Sequence, residues 1–171
     1  MAITTAAGIA YDTVTNETSA GADNADQLAP LGFELVRTDA NGAEQVWVYV
    51  KASGDITIGD VVQLIDAATT LEVVRHPTAV AVNDTAIRVM GVAQHDIGDN
   101  GFGFIMKKGF GSLRAGSGGI TVNTSVTPAG AGTAGRGLDF AAGTTTAACV
   151  IAFCTVAAGA NAQSTCYINC T

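Results

Sequence analysis

Short runs of β-branched and aromatic residues, separated by Gly, Asn, Asp or Ser, recur along the chain from Gly32 onward. Such runs suit the pleated surface of a sheet, and the residues between them favour tight turns. Glycine contributes 21 of the 171 residues, and both glycine and β-branched residues lower helix propensity. The runs cover residues 33–37, 46–50, 61–65, 87–92, 102–106, 120–122, 149–153 and 165–168. The sequence therefore predicts an all-β fold of short antiparallel strands, arranged in one or two small barrel or sandwich units.

Charge divides the chain into three parts. Residues 1–31 carry acidic side chains and no basic one, and they show neither the period of a strand nor that of a helix, which predicts an extended N-terminal arm. All other charged residues except Arg136 and Asp139 lie before residue 115. We therefore expect a first β unit over 32–114 and a second β unit over 115–171, which is uncharged apart from that one pair and packs on the first.

Two blocks of the sequence echo each other. Residues 53–62 read SGDITIGDVV and residues 117–126 read SGGITVNTSV. Each block has a turn containing Gly, a short β run, a second polar break and the start of another strand. Two readings stay open: a β unit used twice, or a turn chemistry that β-meanders reuse.

The overall charge limits the partners. Eight basic against fifteen acidic residues give a net charge of −7, and the only adjacent basic pair is Lys107-Lys108, so we expect no nucleic-acid partner. The most apolar run, residues 147–160, is shorter than the roughly 20 residues of a spanning helix, so we expect no membrane partner. The N-terminus shows no basic segment followed by an apolar one, which predicts synthesis in the cytosol without a signal peptide.

Two motifs suggest ligand binding but lack the necessary context. Residues 130–135 fit the G-x-G-x-x-G pattern of dinucleotide sites, yet no helix can follow them and no acidic residue occurs after Asp139 to hold a ribose. Residues 96–101 resemble the start of a calcium loop, but the third position is Gly98 and the twelfth is Lys107, neither of which offers a side-chain ligand. We predict no cofactor and no metal at either place, and a tight turn at 96–101.

Catalytic chemistry is not expected either. His95 stands beside Asp96, but no nucleophile lies near them in the sequence. The spacing of the four cysteines is not that of a zinc site. These cysteines all lie in the uncharged tail: Cys149, Cys154, Cys166 and Cys170. We therefore predict no catalytic residue and no enzymatic activity.

The last two runs predict a hairpin in which one cross-strand disulfide fits. Paired positions in an antiparallel hairpin have a constant sum, which is 320 for Cys154 with Cys166 and 319 for Cys149 with Cys170, so both pairs cannot be in register without a bulge. A Cys154–Cys166 disulfide is therefore permitted by geometry. The missing signal peptide instead favours buried, reduced thiols.

Several short β motifs follow one another over roughly residues 50–170. They are Gly59-Asp60-Val61-Val62, Met90-Gly91-Val92-Ala93, Gly101-Phe102-Gly103-Phe104-Ile105-Met106, Gly109-Phe110-Gly111 and Gly119-Ile120-Thr121-Val122. In this order they resemble the small decoration, or cement, proteins on the heads of tailed bacteriophages, and the cysteines depart from the likeness. The resemblance implies a virion protein, made in the host bacterial cytoplasm, that binds the outer surface of the capsid and stabilises its lattice. Its implied partners are the major capsid protein and further copies of itself, as a homo-oligomer (trimer or dimer), with the arm as a clamp.

The residues themselves fit such a role. A sheet without Lys or Glu along its edges is open to pairing with other chains, so we expect residues 115–171 to contribute much of a protein–protein interface. The alternative is a cell-surface or appendage β module, such as a fibre or adhesin subunit, which would require an export signal. The expected interface residues are Ile3, Ile9, Tyr11, Leu28, Leu31, Thr165 and Tyr167.

Overall fold

A computed structural model describes residues 10–16, 26–65, 71–75, 89–128, 134–140 and 150–170. Ten strands and no helix occur in these ranges, which confirms the all-β prediction, and nothing there forms a helix long and apolar enough to cross a membrane. The strands are β1 Glu34–Thr38, β2 Glu44–Ala52, β3 Val61–Leu64, β4 Glu72–Arg75, β5 Val89–Ala93, β6 Phe102–Arg114, β7 Thr124–Pro128, β8 Gly137–Asp139, β9 Ala152–Cys154 and β10 Gln163–Asn169.

All ten strands belong to one sheet. Their order is β1-β2-β4-β3-β5-β6-β10-β9-β7-β8, and an additional pairing of β2 with β6 closes β2, β4, β3, β5 and β6 into a ring of five strands. The strand pairs are antiparallel, as predicted, except that β2 and β4 run parallel, with Lys51 opposite Glu72. The 13-residue strand β6 contributes to both halves, since its first half pairs with β2 and β5 and its second half with β10.

The same pattern of pairing occurs twice. In the first unit, β2 pairs with β6, β3 with β5, and β5 with β6. In the second unit, the second half of β6 pairs with β10, β7 with β9, and β9 with β10. Even the isolated bridges correspond, because Ile56 opposite Ile97 is matched by Ile120 opposite Ala158. This correspondence favours the reading of one β unit used twice, while the division of the chain at residue 115 stays a prediction.

Two apolar clusters fill the sheet. The first lies among the inward side chains of the ring, and burying each of its large members contributes about 1.5–3 kcal/mol. It consists of Val48, Val50, Ala52, Ile56, Val62, Val73, Ala93, Ile97 and Ile105. The second cluster joins the outward side chains of the first unit to apolar residues of the second, such as Leu113, Val126 and Ile168. The two units therefore share a core.

Cys154 and Cys166 lie opposite each other on β9 and β10 and form a disulfide. Both are fully buried. They occupy the place that Ala93 and Ile105 have in the first unit. The expectation of reduced thiols is therefore wrong for this pair, because the hairpin register brings the two side chains together on one face. Cys149 lies outside the described residues.

The described parts of the predicted arm lie along the first unit. Thr15 forms a bridge with Phe102 through two backbone hydrogen bonds, of 2.9 and 2.8 Å. Further along, the amide of Gly32 donates to the carbonyl oxygen of Tyr49 at 2.8 Å, and the amide of Leu28 donates to the Tyr49 hydroxyl at 3.1 Å. The arm thus covers part of its own chain.

Candidate interaction surface

A row of aromatic side chains crosses the outside of the second unit. Phe110 on β6 lies opposite Tyr167 on β10, Tyr167 opposite Phe153 on β9, and Phe153 opposite Ser125 on β7. Phe140 continues the row, since its amide donates to the Ser125 carbonyl oxygen at 2.8 Å. Residues directly opposite each other in a sheet point to the same side. We call these five residues the outer row.

The outer row is open to solvent. Phe110, Phe140 and Phe153 are 41%, 41% and 44% exposed, and the rings of Phe110 and Tyr167 meet edge to face with centroids 5.2 Å apart. The chain has 1 Trp, 3 Tyr and 6 Phe, ten aromatic residues in all, so four of ten stand in this one row. Clustered, exposed aromatic residues are typical of protein–protein interfaces, where they contribute much of the binding energy.

The first unit contains the corresponding row, and there it is covered. Trp47, Met106, Val92 and Val61 follow each other across β2, β6, β5 and β3 in the same register as four residues of the outer row. None of these four is more than 2% exposed. We call them the covered row. Equivalent positions of the two units thus differ in whether the chain itself covers them.

Two parts of the chain cover that row. The ring of Tyr11, in the arm, lies 4.9 Å from the ring of Trp47. On the side of the second unit, the Met106 sulfur lies where a side chain at Gly111 would begin, 2.8 Å from an ideal Cβ position there. Glycine at position 111 therefore makes room for the first unit against the second.

The surroundings of the outer row are neutral on one side and charged on the other. Ser112 and Thr165 lie opposite each other two residues along the strands from Phe110 and Tyr167, and therefore on the same face. No residue from Phe140 to the C-terminus is charged. On the other side of the row, Lys108 and Asn169 lie opposite each other, two residues from Phe110 and Tyr167 and on the same face, and the Lys108 ammonium pairs with Glu44 at 2.8 Å.

Two of the predicted interface residues belong to this surface. Tyr167 is part of the outer row, and Thr165 is exposed beside it. Sequence reasoning missed Phe110, Phe140 and Phe153. One of them, Phe153, is predictable from β9, because successive side chains of a strand face opposite sides. If Cys154 is buried, its neighbour Phe153 must face outward.

The other predicted interface residues belong to the arm. Tyr11 packs on Trp47 and lies beneath the guanidinium of Arg37, 4.0 Å from the ring centroid. Leu31 is half-buried against the shared core, whereas Leu28 is 44% exposed. Ile3 and Ile9 lie outside the described residues. Their contact with a partner stays a prediction.

A buried carboxylate links the two units. Asp60 is 1% exposed and lies 3.7 Å from the guanidinium of Arg136, which comes from the second unit. Burial raises the pKa of Asp60, although a hydrogen bond from the Thr57 amide and the nearby arginines oppose that shift. The next residue, Val61, donates its amide to the carbonyl oxygen of Gly135 at 2.7 Å. The cluster thus holds the second unit against the start of β3.

His95 lies in the packing between the arm and the first unit. Its ring stacks on Trp47, with centroids 6.0 Å apart and an angle of 22° between the planes. Burial lowers the pKa of His95, against the opposing influence of Asp12, of a hydrogen bond with the Tyr11 backbone and of Asp96. The side chain therefore favours its neutral form and joins the arm to the ring.

The segment that resembled a calcium loop is a tight turn, as predicted. Asn100 has a φ of 56°, and the Asp99 carboxylate accepts hydrogen bonds from the amides of Gly54 and Asn100. Asp96 in turn accepts one from the amide of Ile58. Within the described ranges, no three His, Cys, Asp or Glu side chains are grouped as metal ligands. Most of the glycine-rich segment 130–135 lies outside those ranges.

Comparison with known proteins gives little further information. No protein-family model matches the chain, and no curated protein sequence matches it. Among solved structures, the crystal structure of the head fiber gp8.5 N base in bacteriophage phi29 is similar, with a TM-score of 0.48 and 14% sequence identity over 74% of this chain and 96% of that chain.

Proposed function

We propose that this chain is a non-enzymatic structural protein of a tailed-phage particle, which binds the outer surface of the capsid and stabilises its lattice. The observation that carries the proposal is the contrast between the two rows: the covered row is at most 2% exposed, whereas three phenylalanines of the outer row are at least 41% exposed. The resemblance of the sequence to decoration proteins supplies the setting in which such a surface is covered.

Burial of the aromatic side chains of the outer row would stabilise the contact with the capsid. Fully burying a side chain as large as phenylalanine contributes about 1.5–3 kcal/mol, and interface aromatics near the centre of a contact contribute most. Three phenylalanines and a tyrosine in one register row thus give a compact apolar strip. The neutral hydroxyl groups of Ser112 and Thr165 border it on one side, and Lys108, whose charge is paired with Glu44, borders it on the other.

The charge distribution favours a definite orientation. Arg136 and Asp139 cancel, so the whole net charge of −7 belongs to residues before 115. In the assembled particle we expect the neutral residues 115–171 to be covered by protein, while the acidic part before residue 115 faces solvent or a basic part of the lattice. A net charge far from zero also keeps copies apart and soluble before assembly.

Rebinding to particles tests the proposal. Particles produced without this protein are mixed with purified wild-type chain or with the Phe153→Ser variant, and bound protein is counted after sedimentation. Val36→Ser is the matched control, because Val36 is 59% exposed on β1, outside the outer row. We expect wild type and control to bind at a fixed ratio to the major capsid protein and Phe153→Ser to bind more weakly. Equal binding of all three would contradict a role for the outer row, and no binding by wild type would contradict the proposed function.

A further inference from the structure

Three arginines gather around the buried carboxylate of Asp60, at the junction of the two units. We propose that this arginine cluster, which consists of Arg75, Arg114 and Arg136, binds a small oxyanion with two charges, hydrogen phosphate. The site is separate from the outer row, and the inference goes beyond the proposed function.

The order of the strands brings the three arginines to Asp60 from different parts of the chain. Arg75 ends β4, the neighbour of β3, and β3 begins directly after Asp60. Arg114 ends β6, and its amide donates to the carbonyl oxygen of Gly59 at 2.9 Å. Arg136 directly precedes β8, and its guanidinium lies 3.7 Å from the Asp60 carboxylate. An anion held between these side chains would therefore join both units.

The arginine cluster has more positive charge than its carboxylate balances. Three guanidiniums and one carboxylate leave a charge of +2, in a chain whose net charge is −7. The three lysines of the chain differ, because each pairs with a glutamate of its own at 2.8 to 3.6 Å. Burial lowers the pKa of Arg136, Asp60 opposes that shift, and the like charges of Arg114 and Arg75 add to it. An anion with two charges would neutralise the cluster and relieve this repulsion.

The cluster also has unused hydrogen-bonding atoms. Seven buried side-chain nitrogen and oxygen atoms in the described ranges have no hydrogen-bond partner there, and four of the seven belong to this cluster. The four are Arg114 Nε, Arg136 Nε, Arg136 Nη1 and Asp60 Oδ1. Buried polar groups are normally satisfied by protein, by water or by an ion. Water would satisfy the donors and leave the charge, whereas an oxyanion satisfies the donors and balances the charge as well.

Hydrogen phosphate matches these atoms in both of its roles. Its unprotonated oxygens accept from guanidinium N–H groups, which bind phosphate through two donors at once. Its one O–H group has an acceptor in Asp60 Oδ1, while the other carboxylate oxygen already accepts from the Thr57 amide at 3.0 Å. Arg75 is exposed, so the cluster is open to solvent at this arginine.

Thermal unfolding of the purified chain tests the site. Melting temperatures are measured near neutral pH in sodium chloride, sodium sulfate and sodium phosphate of equal ionic strength, and calorimetric titration with phosphate gives its dissociation constant. Sulfate is the matched anion, because it has two charges and stabilises proteins in general but has no O–H group to donate. We expect phosphate at about a hundred times its dissociation constant to raise the melting temperature by about 5–10 °C over chloride, and sulfate to raise it less.

Two variants remove parts of the site. Arg75→Gln changes the exposed arginine, and Arg136→Lys keeps a positive charge beside Asp60 but loses the second donor of the guanidinium. Each variant should need on the order of tenfold more phosphate than wild type for the same rise in melting temperature. Lys107→Gln is the control, because it also removes one positive charge but lies outside the cluster, where Lys107 pairs with Glu34. It should respond to phosphate like wild type.

Three results would overturn the inference. Equal responses of wild type and both variants would mean a general effect of the salt, and equal rises in phosphate and in sulfate would exclude hydrogen phosphate as the ligand. A wild-type chain that phosphate does not stabilise would also overturn it. In that case, loss of binding to particles by Arg75→Gln would identify an acidic group of the capsid as the occupant instead.

Discussion

The disulfide between Cys154 and Cys166 should contribute a definite share of the stability of the second unit. The two cysteines are 12 residues apart in sequence, and closing a loop of that size in the unfolded chain corresponds to about 3 kcal/mol in the chain-entropy model. For a chain of this length, a loss of 3 kcal/mol lowers the melting temperature by about 6–12 °C. The repeat supplies the natural replacement, because Ala93 and Ile105 occupy the corresponding positions of the first unit.

We therefore expect reduced wild type and the Cys154→Ala/Cys166→Ile double variant to unfold at similar denaturant concentrations, and oxidised wild type to resist unfolding by about 3 kcal/mol more. Both cysteines are fully buried, so reduction must be carried out in the unfolded chain, which is then refolded with the reductant present. The double variant serves as the control, since its unfolding should not respond to the reductant. An oxidised and a reduced wild type with equal unfolding free energies would refute the reasoning.

Three further predictions concern the interface, the arm and the repeat. Thr165→Lys places a charge beside the outer row and should reduce binding to particles by at least about tenfold. Thr38→Lys, at an exposed position of β1, is the control and should bind like wild type. An equal loss of binding in both variants would contradict the outer row as the binding surface. Burial lowers the pKa of His95 below 6.5, so the unfolded chain takes up its proton first as the pH falls. The unfolding free energy of wild type should therefore decline as the pH falls below about 6.5, and the His95→Gln variant should lack this part of the decline. Denaturant midpoints measured as a function of pH test this, and an equal pH dependence in wild type and variant would contradict it. Gly91→Ala would place a Cβ 2.5 Å from a backbone oxygen of β6 and should destabilise the chain by about 2 kcal/mol or more in thermal unfolding. The corresponding substitution in the second unit, Ala152→Gly, should lower the stability by only about 1 kcal/mol. Equal losses of stability in the two variants would contradict the close packing of Gly91 against β6.

The strand content and the repeat follow from local sequence signals. β-branched runs between turn residues determine where strands form, and the matching blocks 53–62 and 117–126 lead into β3 and β7, which occupy corresponding places. The register of the last hairpin is also local, because the sum of 320 for Cys154 and Cys166 is the pairing that the structure has. Short-range patterns of this kind are readable without a structure.

Local sequence patterns do not predict which of the two rows is buried and which is exposed. Val92 and Phe153 occupy equivalent positions in equivalent strands, yet one is fully buried and the other 44% exposed. The difference depends on the packing of the arm and of the second unit onto the first, through contacts between residues far apart in sequence, such as Tyr11 with Trp47. The parallel pairing of β2 with β4 is non-local in the same sense, since β3 lies between these two strands in the sequence.

The protein composition of purified native particles tests the central claim most directly. Quantitative mass spectrometry of particles separated from free protein gives the number of copies of this chain for each copy of the major capsid protein. The account predicts a constant ratio across preparations, one copy per capsid subunit or per fixed group of subunits. Absence of the chain from purified particles, or an amount that varies and washes away, would contradict a structural role in the particle.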